Sequence, residues 1–278
     1  MPDAEKKYCE LQTLLKVHAP FYLAFSGGLD SRFLAHAAGQ AGLAFTAVHV
    51  TGPHVPSADT EAALGWLEQN GIPRQVVQFD PLSLEEVLKG SKKRCYQCKR
   101  EMFRLILAKA GNLPVMEGSN ASDRLKFRPG ARALQELGIL SPMAEVGLSK
   151  PEIRTLARET GLDNPAQPSR PCLLTRLDYG LTPQEGALRR LEAAEDAIAG
   201  LGFKNFRLRI FRMGNPILQI DWSENQKLES CRKKLERLLT LHGFADAGIQ
   251  AEFEVSGFFD AENADNQTDD LEILKNLF

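Results

Sequence analysis

The sequence predicts an α/β fold in which a parallel-sheet domain is followed by a small α+β domain. Three observations support this prediction: a buried strand that passes through two glycines into a helix at residues 21–31, an alternation of apolar strands with helices up to about residue 180, and a helix-strand-strand-helix-strand order beyond it. Strands that alternate with helices form parallel sheets, because each helix returns the chain to the same edge. We therefore expect domains at residues 1–180 and 181–258, and an acidic tail at 259–278.

Composition and charge limit the class of protein. A chain of 278 residues with 43% hydrophobic content suits a globular protein of one or two domains. The formal net charge of −2 and the pI near 6.3 argue against an electrostatically driven nucleic-acid binder. No apolar run of about 18 residues occurs, and no apolar leader follows basic residues at the start, so we expect a cytoplasmic protein without a membrane span.

The elements of the first domain follow from apolar spacing. Leucines at helical spacing predict a helix over residues 3–17. Ser149, Pro151 and Glu152 predict a helix start, since the serine caps, the proline fits the first turn and the glutamate stands three residues after the cap. Apolar runs predict the remaining elements: strands at 21–25, 45–50, 75–79, 113–117 and 139–142, and helices from residue 30 and over 60–69.

The second domain begins at about Thr182, after a proline-rich loop at 164–171 that presents Cys172. Its predicted elements are a helix at 188–201, strands at 206–211 and 217–221, a helix at 228–241 and a strand at 249–255. The acidic tail is most simply a solvated end, although its apolar residues between Leu271 and Phe278 could dock on a neighbouring molecule.

The glycine turn is the strongest candidate for a ligand site. Its sequence is Ser26-Gly27-Gly28-Leu29-Asp30-Ser31. Adjacent glycines let backbone amides approach an anion, and the following helix adds the positive end of its dipole. The two serine hydroxyls can donate to phosphate oxygens, and the aspartate can hold magnesium. The turn is not a Walker loop, because the lysine of that motif is missing, and it is not a dinucleotide fingerprint, because the third glycine is missing. A plain strand-to-helix turn without a ligand is the alternative interpretation.

Two further loops follow predicted strand ends, where ligands of parallel sheets gather. Ser119, Asn120 and Asp123 lie just past the fourth strand and suit contact with ribose, phosphate or metal, unless they only form an Asn/Asp turn. His49–Pro53 should lie near a nucleotide base, with His49 itself a packed strand residue. Lys150 stands where a helix dipole favours an anion, so it either faces phosphate or is solvated.

Three of the five cysteines suggest thiol or metal chemistry. Cys95 and Cys98 form a C-x-x-C pair among basic residues, which stabilise thiolate. Together with Cys172 they could hold a [4Fe-4S] cluster with one iron open to an added sulfide, because such clusters usually take four cysteines. A closed zinc site would need a fourth ligand, and three unconnected thiols are the alternative. Cys9 and Cys231 lie outside any motif and are predicted to be packing residues.

The motifs resemble a known family. The glycine turn resembles the loop of the N-type, or PP-loop, ATP pyrophosphatases, whose domain is adenine nucleotide alpha hydrolase-like. Further blocks are closer to the LarE family of ATP-dependent sulfur transferases, which mature the nickel-pincer cofactor of lactate racemase. These blocks are Arg94-Cys95-Tyr96-x-Cys98-Lys99, Gly118-Ser119-Asn120-Ala121-Ser122-Asp123, Arg128-Pro129-Gly130-x-Arg132-Ala133-Leu134, Leu148-Ser149-Lys150-x-Glu152-Ile153-Arg154 and Ser169-x-Pro171-Cys172-Leu173-x-x-Arg176-x-x-Tyr179-Gly180.

The resemblance implies a reaction and its cofactors. ATP with Mg²⁺ would adenylate a carboxylate of a pyridinium-3,5-dicarboxylate mononucleotide, and sulfur would displace AMP to give a thiocarboxylate. Members that match Cys95, Cys98 and Cys172 carry the sulfur on a [4Fe-4S] cluster, and we favour this form. Other members sacrifice the cysteine that matches Cys172, which becomes dehydroalanine. The resemblance also implies a homo-oligomer. A tRNA thiolase and a module that merely binds ATP are the rival interpretations.

The resemblance extends more weakly into the second domain. Arg207 and Arg209 match arginines that bind the substrate phosphate, and their spacing on a strand puts them on one face, as a clamp requires. Glu195 and Asp221 fall near acidic positions that the family associates with metal, and the loop between Arg209 and Asp221 is longer in this chain. After Gly257 the chain departs from the family pattern, which puts in question contacts that depend on the C-terminal segment.

Overall fold

The computed structural model describes residues 2–125 and 129–260, so most of the predicted acidic tail lies outside the described residues. The predicted class is confirmed: an α/β unit with a parallel sheet precedes a small α+β unit. The α-helices are α1 Pro2–His18, α2 Leu29–Gln40, α3 Ser57–Gln69, α4 Glu85–Leu88, α5 Arg94–Ala110, α6 Pro129–Glu136, α7 Pro142–Glu145, α8 Lys150–Glu159, α9 Glu185–Gly200 and α10 Asn225–Leu241. The strands are β1 Phe21–Ala24, β2 Phe45–Thr51, β3 Arg74–Gln78, β4 Val115–Met116, β5 Phe206–Arg209, β6 Ile217–Asp221 and β7 Gly248–Glu252.

The first sheet has the strand order β3-β2-β1-β4, and all its pairs are parallel. The register pairs Phe21 with Phe45 and Leu23 with Met116. All four strands therefore end at the same edge, and the glycine turn leaves β1 at this edge. The edge is where the ligand loops of a parallel sheet are expected.

Helices cover both faces of this sheet, as parallel sheets require. On one face Phe21 and Leu23 pack with Leu15 of α1 and Phe33 of α2. On the other face Val48 packs with Phe103 and Ile106 of α5. The inner strands β1 and β2 are mostly buried, which explains why the sequence shows them as apolar runs, whereas the edge strand β3 is largely exposed.

Within unit 1 the structure departs from the sequence prediction at residues 139–142 and in helices that the sequence analysis did not predict, among them α5 and α6. Residues 139–142 make a single parallel bridge, Met116 to Leu140, in place of the expected fifth strand. The strand ends there because Pro142 has no N–H to donate and starts α7. The sequence does not predict the 17-residue helix α5, because its first residues are basic residues and thiols without an apolar stripe.

The second sheet has the order β5-β6-β7, with β5 and β6 antiparallel and β6 and β7 parallel. Its elements follow the predicted α-β-β-α-β order, although β5 and β7 end earlier than expected. All four residues of β5 are buried, so this strand is covered on both sides. Among the described residues, no helix is long and apolar enough to cross a membrane.

The two compact units divide the chain at residue 170, ten residues before the boundary expected from the sequence. Unit 1 comprises the chain up to Val87 and Lys92–Arg170, and unit 2 comprises Leu88–Ser91 and the chain from Pro171 onward. Residues just after Pro171 belong to unit 2 because Leu177 forms a bridge with Ile210. The short segment 88–91 joins this unit too, since Gly180 N donates to Gly90 O at 2.8 Å.

Candidate active site

The glycine turn has the backbone that its sequence predicts. Gly27 adopts φ +77°, in the left-handed region that favours glycine, and a Cβ built there would lie 2.7 Å from the Cβ of Ala63 on α3. Gly28 has an extended conformation and stands immediately before α2. Only a residue without a side chain therefore fits position 27, and the chain turns there directly into a helix N-terminus.

The two predicted hydroxyls meet at this turn. Ser26 Oγ and Ser31 Oγ lie 3.2 Å apart, and Ser26 Oγ also accepts from Gly28 N at 3.3 Å. Ser31 Oγ lies 3.0 Å from Gly28 O, to which it can donate. Hydroxyls and the dipole of a 12-residue helix converge on one point, which is the chemistry that binds phosphate.

Lys150 contacts the predicted magnesium residue. Its Nζ lies 2.7 and 2.8 Å from the two carboxylate oxygens of Asp30. The capping box that the sequence predicted at the start of α8 is present and fixes the helix end that carries this lysine. Lys150 is therefore ion-paired with Asp30, with both side chains about 30% exposed, and a phosphate-facing role for it stays a prediction.

The loop after β4 approaches the same helix end. A Cβ at Gly118 would lie 3.0 Å from Ser31 N, so the loop backbone passes close to the first turn of α2. Asn120 is buried, its Oδ1 accepts from Ser122 N, and its own N–H donates to Asp123 Oδ2. The Asn/Asp turn considered for these residues is therefore present, and it places them beside the glycine turn.

Arg32 supports the glycine turn through hydrogen bonds that the sequence did not predict. This α2 residue is buried, and its guanidinium donates to Asp163 Oδ2 at 2.7 Å and to Gln167 Oε1 at 2.7 Å. Gln167 Nε2 lies 3.4 Å from Gly27 O. The guanidinium thus ties the proline-rich loop to the helix that carries the glycine turn. A single arginine within an apolar helical stripe was the only signal available.

Two histidines flank the end of β2. His49 is a packed strand residue, as expected: it is buried, and its Nδ1 donates to Phe25 O at 2.9 Å. Burial lowers the pKa of His49. His54, which the sequence did not single out, is 4% exposed, and burial lowers its pKa to about 4. Both rings are therefore neutral at pH 7.

Two of the three predicted cluster cysteines lie together. Cys95 and Cys98 occupy the first turn of α5, where a spacing of three residues puts both on one helical face, and each is partly exposed. Cys172 belongs to unit 2, where it directly precedes a 3₁₀ turn at Leu173–Arg176. Among the described residues, no three His, Cys, Asp or Glu side chains form a group that could hold a metal ion. The cluster stays a prediction.

Tyr96, one of the two residues between these cysteines, anchors their helix. Tyr96 Oη donates to Glu136 Oε2 of α6 at 2.5 Å. The guanidinium groups of Arg100 and Arg132 lie 5.6 and 5.5 Å from the centre of the Tyr96 ring. The tyrosine therefore holds α5 to α6 and binds two guanidinium groups on its ring.

In unit 2, the two predicted phosphate ligands lie on β5 and are buried, at 1% and 2% exposure for Arg207 and Arg209. Arg209 donates to Gln219 Oε1 at 3.0 Å, to Thr175 O at 2.7 Å and to Val255 O at 2.5 Å. Burial, helped by the charge of Arg176, lowers the pKa of Arg209 to about 10, so it is still cationic at pH 7. The guanidinium of Arg209 therefore donates to oxygen atoms of the protein itself, and its role as a phosphate ligand stays a prediction.

The two predicted acidic metal ligands have protein partners. Glu195 on α9 is 2% exposed and forms a bidentate ion pair with Arg176, with N–O distances of 3.0 and 2.8 Å. Burial alone raises the pKa of Glu195, but the Arg176 charge and hydrogen bonds outweigh it, and the pKa is lowered. Asp221 accepts from Ser223 N at 3.0 Å and from Asn205 Nδ2 at 2.7 Å. Metal binding by either carboxylate stays a prediction.

Comparisons with known proteins find three curated relatives. An uncharacterised protein of Synechocystis sp. is 34% identical over 195 residues, covering 67% of this chain and 71% of that protein. An uncharacterised protein of Methanocaldococcus jannaschii is 25% identical over 213 residues, covering 74% and 81%. The pyridinium-3,5-bisthiocarboxylic acid mononucleotide synthase of Lactiplantibacillus plantarum is 29% identical over 231 residues, covering 81% and 82%. No protein-family model matches the chain.

Proposed function

Since this chain belongs to the family of the pyridinium-3,5-bisthiocarboxylic acid mononucleotide synthase, the LarE family, we propose that it is an ATP-dependent sulfur transferase acting on a pyridinium dicarboxylate mononucleotide. In the proposed reaction a substrate carboxylate oxygen attacks the α-phosphorus of ATP, and pyrophosphate leaves. A sulfur nucleophile then attacks the activated carbonyl carbon, AMP leaves, and a thiocarboxylate remains. The product would serve the maturation of a nickel-pincer cofactor.

The observation that carries the proposal is the convergence of phosphate-binding groups at the glycine turn. The hydroxyls of Ser26 and Ser31 and the backbone of Gly28, which stands at the start of α2, lie within hydrogen-bond distance of one another. Such fixed donors stabilise negative charge as it develops on the leaving pyrophosphate, because they need no reorganisation during the reaction. Ser119, Asn120 and Asp123 would complete the nucleotide site from the adjoining loop.

Asp30 is the proposed magnesium residue, and its environment suits this role. The carboxylate is about 30% exposed at a helix N-terminus, and it already attracts one cation, the Lys150 ammonium. A carboxylate has enough lone pairs to bind a metal ion and still accept from an ammonium group. Magnesium bound there would neutralise phosphate charge, and Lys150 would keep a second positive charge beside the same phosphates.

The sulfur source is the part of the proposal with two forms. In the favoured form Cys95, Cys98 and Cys172 hold a [4Fe-4S] cluster that supplies the sulfur. The shared helical face of the first two thiols fits two of its ligands, whereas the third thiol comes from unit 2 and no three-ligand group is formed in the structure described here. In the other form Cys172 donates its own sulfur and becomes dehydroalanine.

Pyrophosphate release tests the adenylation step. The purified protein is incubated with ATP, Mg²⁺ and the pyridinium dicarboxylate mononucleotide, and pyrophosphate is measured. We expect Asp30→Asn to lower the rate by about 100-fold, in the range found when one group that stabilises the transition state is removed. Asp3→Asn is the matched control, because Asp3 is an exposed carboxylate that also pairs with a lysine, at 2.8 Å. Release of ADP and phosphate by the wild type, or no turnover, would contradict the proposal.

Iron analysis separates the two sulfur sources. After anaerobic reconstitution, the favoured form predicts iron and acid-labile sulfide in the wild type and their loss in Cys95→Ala, Cys98→Ala and Cys172→Ala, with Cys231→Ala as the control. If no iron is retained and mass spectrometry after turnover finds Cys172 lighter by one hydrogen sulfide, the sacrificial form is correct.

None of the five cysteines forms a disulfide, which suits the reducing cytoplasm that we propose as the location. The homo-oligomer stays a prediction that light scattering can test.

A further inference from the structure

We propose that Arg176 and Glu195 are positioning residues that fix the backbone at Cys172 for the sulfur-transfer step, and that Glu195 acts through this arginine and not as a metal ligand. The inference rests on the proposed function, because it concerns the residue that delivers sulfur in either of its forms. All the residues involved belong to unit 2.

Three donor groups hold the backbone around Cys172. Arg176 Nη1 donates to Pro171 O at 2.6 Å and lies 3.3 Å from Cys172 O. Cys172 O also accepts from Thr175 Oγ1 at 2.8 Å and from Thr175 N at 3.0 Å. The carbonyls on both sides of the Cys172 nitrogen and α-carbon are therefore tied down. The side chain itself is partly exposed, so the thiol is accessible on a fixed backbone.

The arginine that holds this backbone is itself fully buried. Its side chain is 1% exposed, and that of Glu195 is 2% exposed. Two guanidinium nitrogens bind the two carboxylate oxygens at 3.0 and 2.8 Å, which leaves Nη1 aimed at the Cys172 turn. A planar fork of donors can serve a carboxylate and a carbonyl at the same time, whereas a lysine ammonium cannot span both. The arrangement thus depends on arginine and on its orientation by Glu195.

Glu195 links this device to the core of unit 2. Its Oε1 accepts a second hydrogen bond, from Leu208 N of β5 at 3.0 Å, so the carboxylate joins α9, β5 and the Cys172 turn. Both oxygens are thus engaged, and the charges of Arg176 and Arg207 act on the carboxylate. A divalent metal ion placed there would meet two guanidinium groups, and the carboxylate would lose the arginine that it orients. The contacts therefore assign Glu195 to positioning.

The experiment measures the two steps separately. For Arg176→Lys and Glu195→Gln, thiocarboxylate formed per pyrophosphate released is compared with that of the wild type, over a range of Mg²⁺ and Mn²⁺ concentrations. We expect pyrophosphate release within about twofold of the wild type and a yield of thiocarboxylate per pyrophosphate at least about tenfold lower, because only the delivery of sulfur is disturbed. The double variant should be no worse than either single variant, since the two residues act as one unit.

Controls separate this inference from misfolding and from failure of the proposed function. Arg189→Lys makes the same substitution at an exposed arginine of α9, 2.8 Å from Glu192, and should leave the yield unchanged. Thermal melting identifies variants that do not fold, and the smaller change Glu195→Asp replaces any that fail. If added metal restored the thiocarboxylate yield of Glu195→Gln, and Arg176→Lys had a normal yield, the positioning role would be overturned in favour of metal binding. Normal yields in both folded variants would also overturn it, whereas an inactive wild type refutes the proposed function itself.

Discussion

Replacement of Gly27 by alanine should destabilise unit 1 through two separate effects. At φ +77° a residue with a Cβ is strained by about 1–2 kcal/mol. The new Cβ would also lie 2.7 Å from the Cβ of Ala63, so α3 or the turn has to move. Such overpacking costs about 1–3 kcal/mol. The two effects together predict a loss of about 3 kcal/mol in the free energy of unfolding.

The neighbouring glycine supplies the matched control. Gly28 has φ −71° and ψ 162°, which any residue adopts, and a Cβ there would meet only Ser26 Oγ, at 3.4 Å. Gly28→Ala should therefore leave the stability unchanged or raise it by about 0.5 kcal/mol, because alanine lowers the entropy of the unfolded chain. The two variants change the same residue type one position apart, so their difference isolates the geometry of the turn.

Urea denaturation followed by fluorescence measures this difference. Trp66 is 9% exposed and stacks on Phe25, the residue before the turn, so its emission reports on this part of unit 1. The other tryptophan, Trp222, belongs to unit 2, and all variants are made in a Trp222→Phe background.

Rescue by Ala63→Gly tests the origin of the effect. This change removes the atom that the new Cβ would meet, but glycine in α3 itself costs about 1 kcal/mol. In the double variant the steric part of the loss should shrink, because the new Cβ would then meet only the Ala63 backbone, with Cα at 3.2 Å, and the strain at position 27 should remain. The reasoning would be refuted if the free energies of unfolding of Gly27→Ala and Gly28→Ala differed by less than about 0.5 kcal/mol. Such a difference is below the range expected for a Cβ at this φ.

Three further predictions follow from single contacts. Lys150→Met removes the cation that binds Asp30 and should lower pyrophosphate release at least about tenfold, while this partly exposed ion pair adds less than about 1 kcal/mol to stability. Arg32→Lys cannot form the two guanidinium hydrogen bonds to Gln167, so the free energy of unfolding should fall by about 2 kcal/mol and the melting temperature should fall with it. An unchanged melting temperature would show that these two hydrogen bonds do not stabilise the protein. His54 has a folded pKa of about 4 against 6.5 when unfolded, so the unfolded state binds the proton first and stability falls as pH drops through this range. The loss is about 2 kcal/mol at pH 5 relative to pH 8, and denaturation at both values should show it shrink in His54→Gln.

The sequence was sufficient for features that depend on local chemistry. The glycine pair at 27 and 28 predicted a turn into a helix, and Ser149 with Glu152 predicted a capping box, because neighbouring residues determine both features. Period and composition also predicted both sheets, apart from residues 139–142. There the apolar run was real, but Pro142 ended pairing after one bridge.

Features that depend on distant partners could not be predicted. Charged residues usually lie at the surface. Arg32 and Arg176 are nevertheless buried, because each forms an ion pair with a carboxylate from a distant part of the chain. The partner of Arg32 lies 131 residues away. Helix α5 was missed for another reason: its first turn is a cluster of basic residues and thiols, and its apolar positions become visible only beyond Lys99.

The excursion of residues 88–91 has a practical consequence for work with fragments. A gene segment that starts at Pro171 would encode unit 2 without the carbonyl of Gly90, and the amide of Gly180 would then lose its acceptor. Position 90 also tolerates no side chain, because φ is +59° and a Cβ would overlap the backbone of Leu181. Truncated versions of this protein should therefore be designed by grafting that tetrapeptide, or the full-length polypeptide should be kept for biophysics.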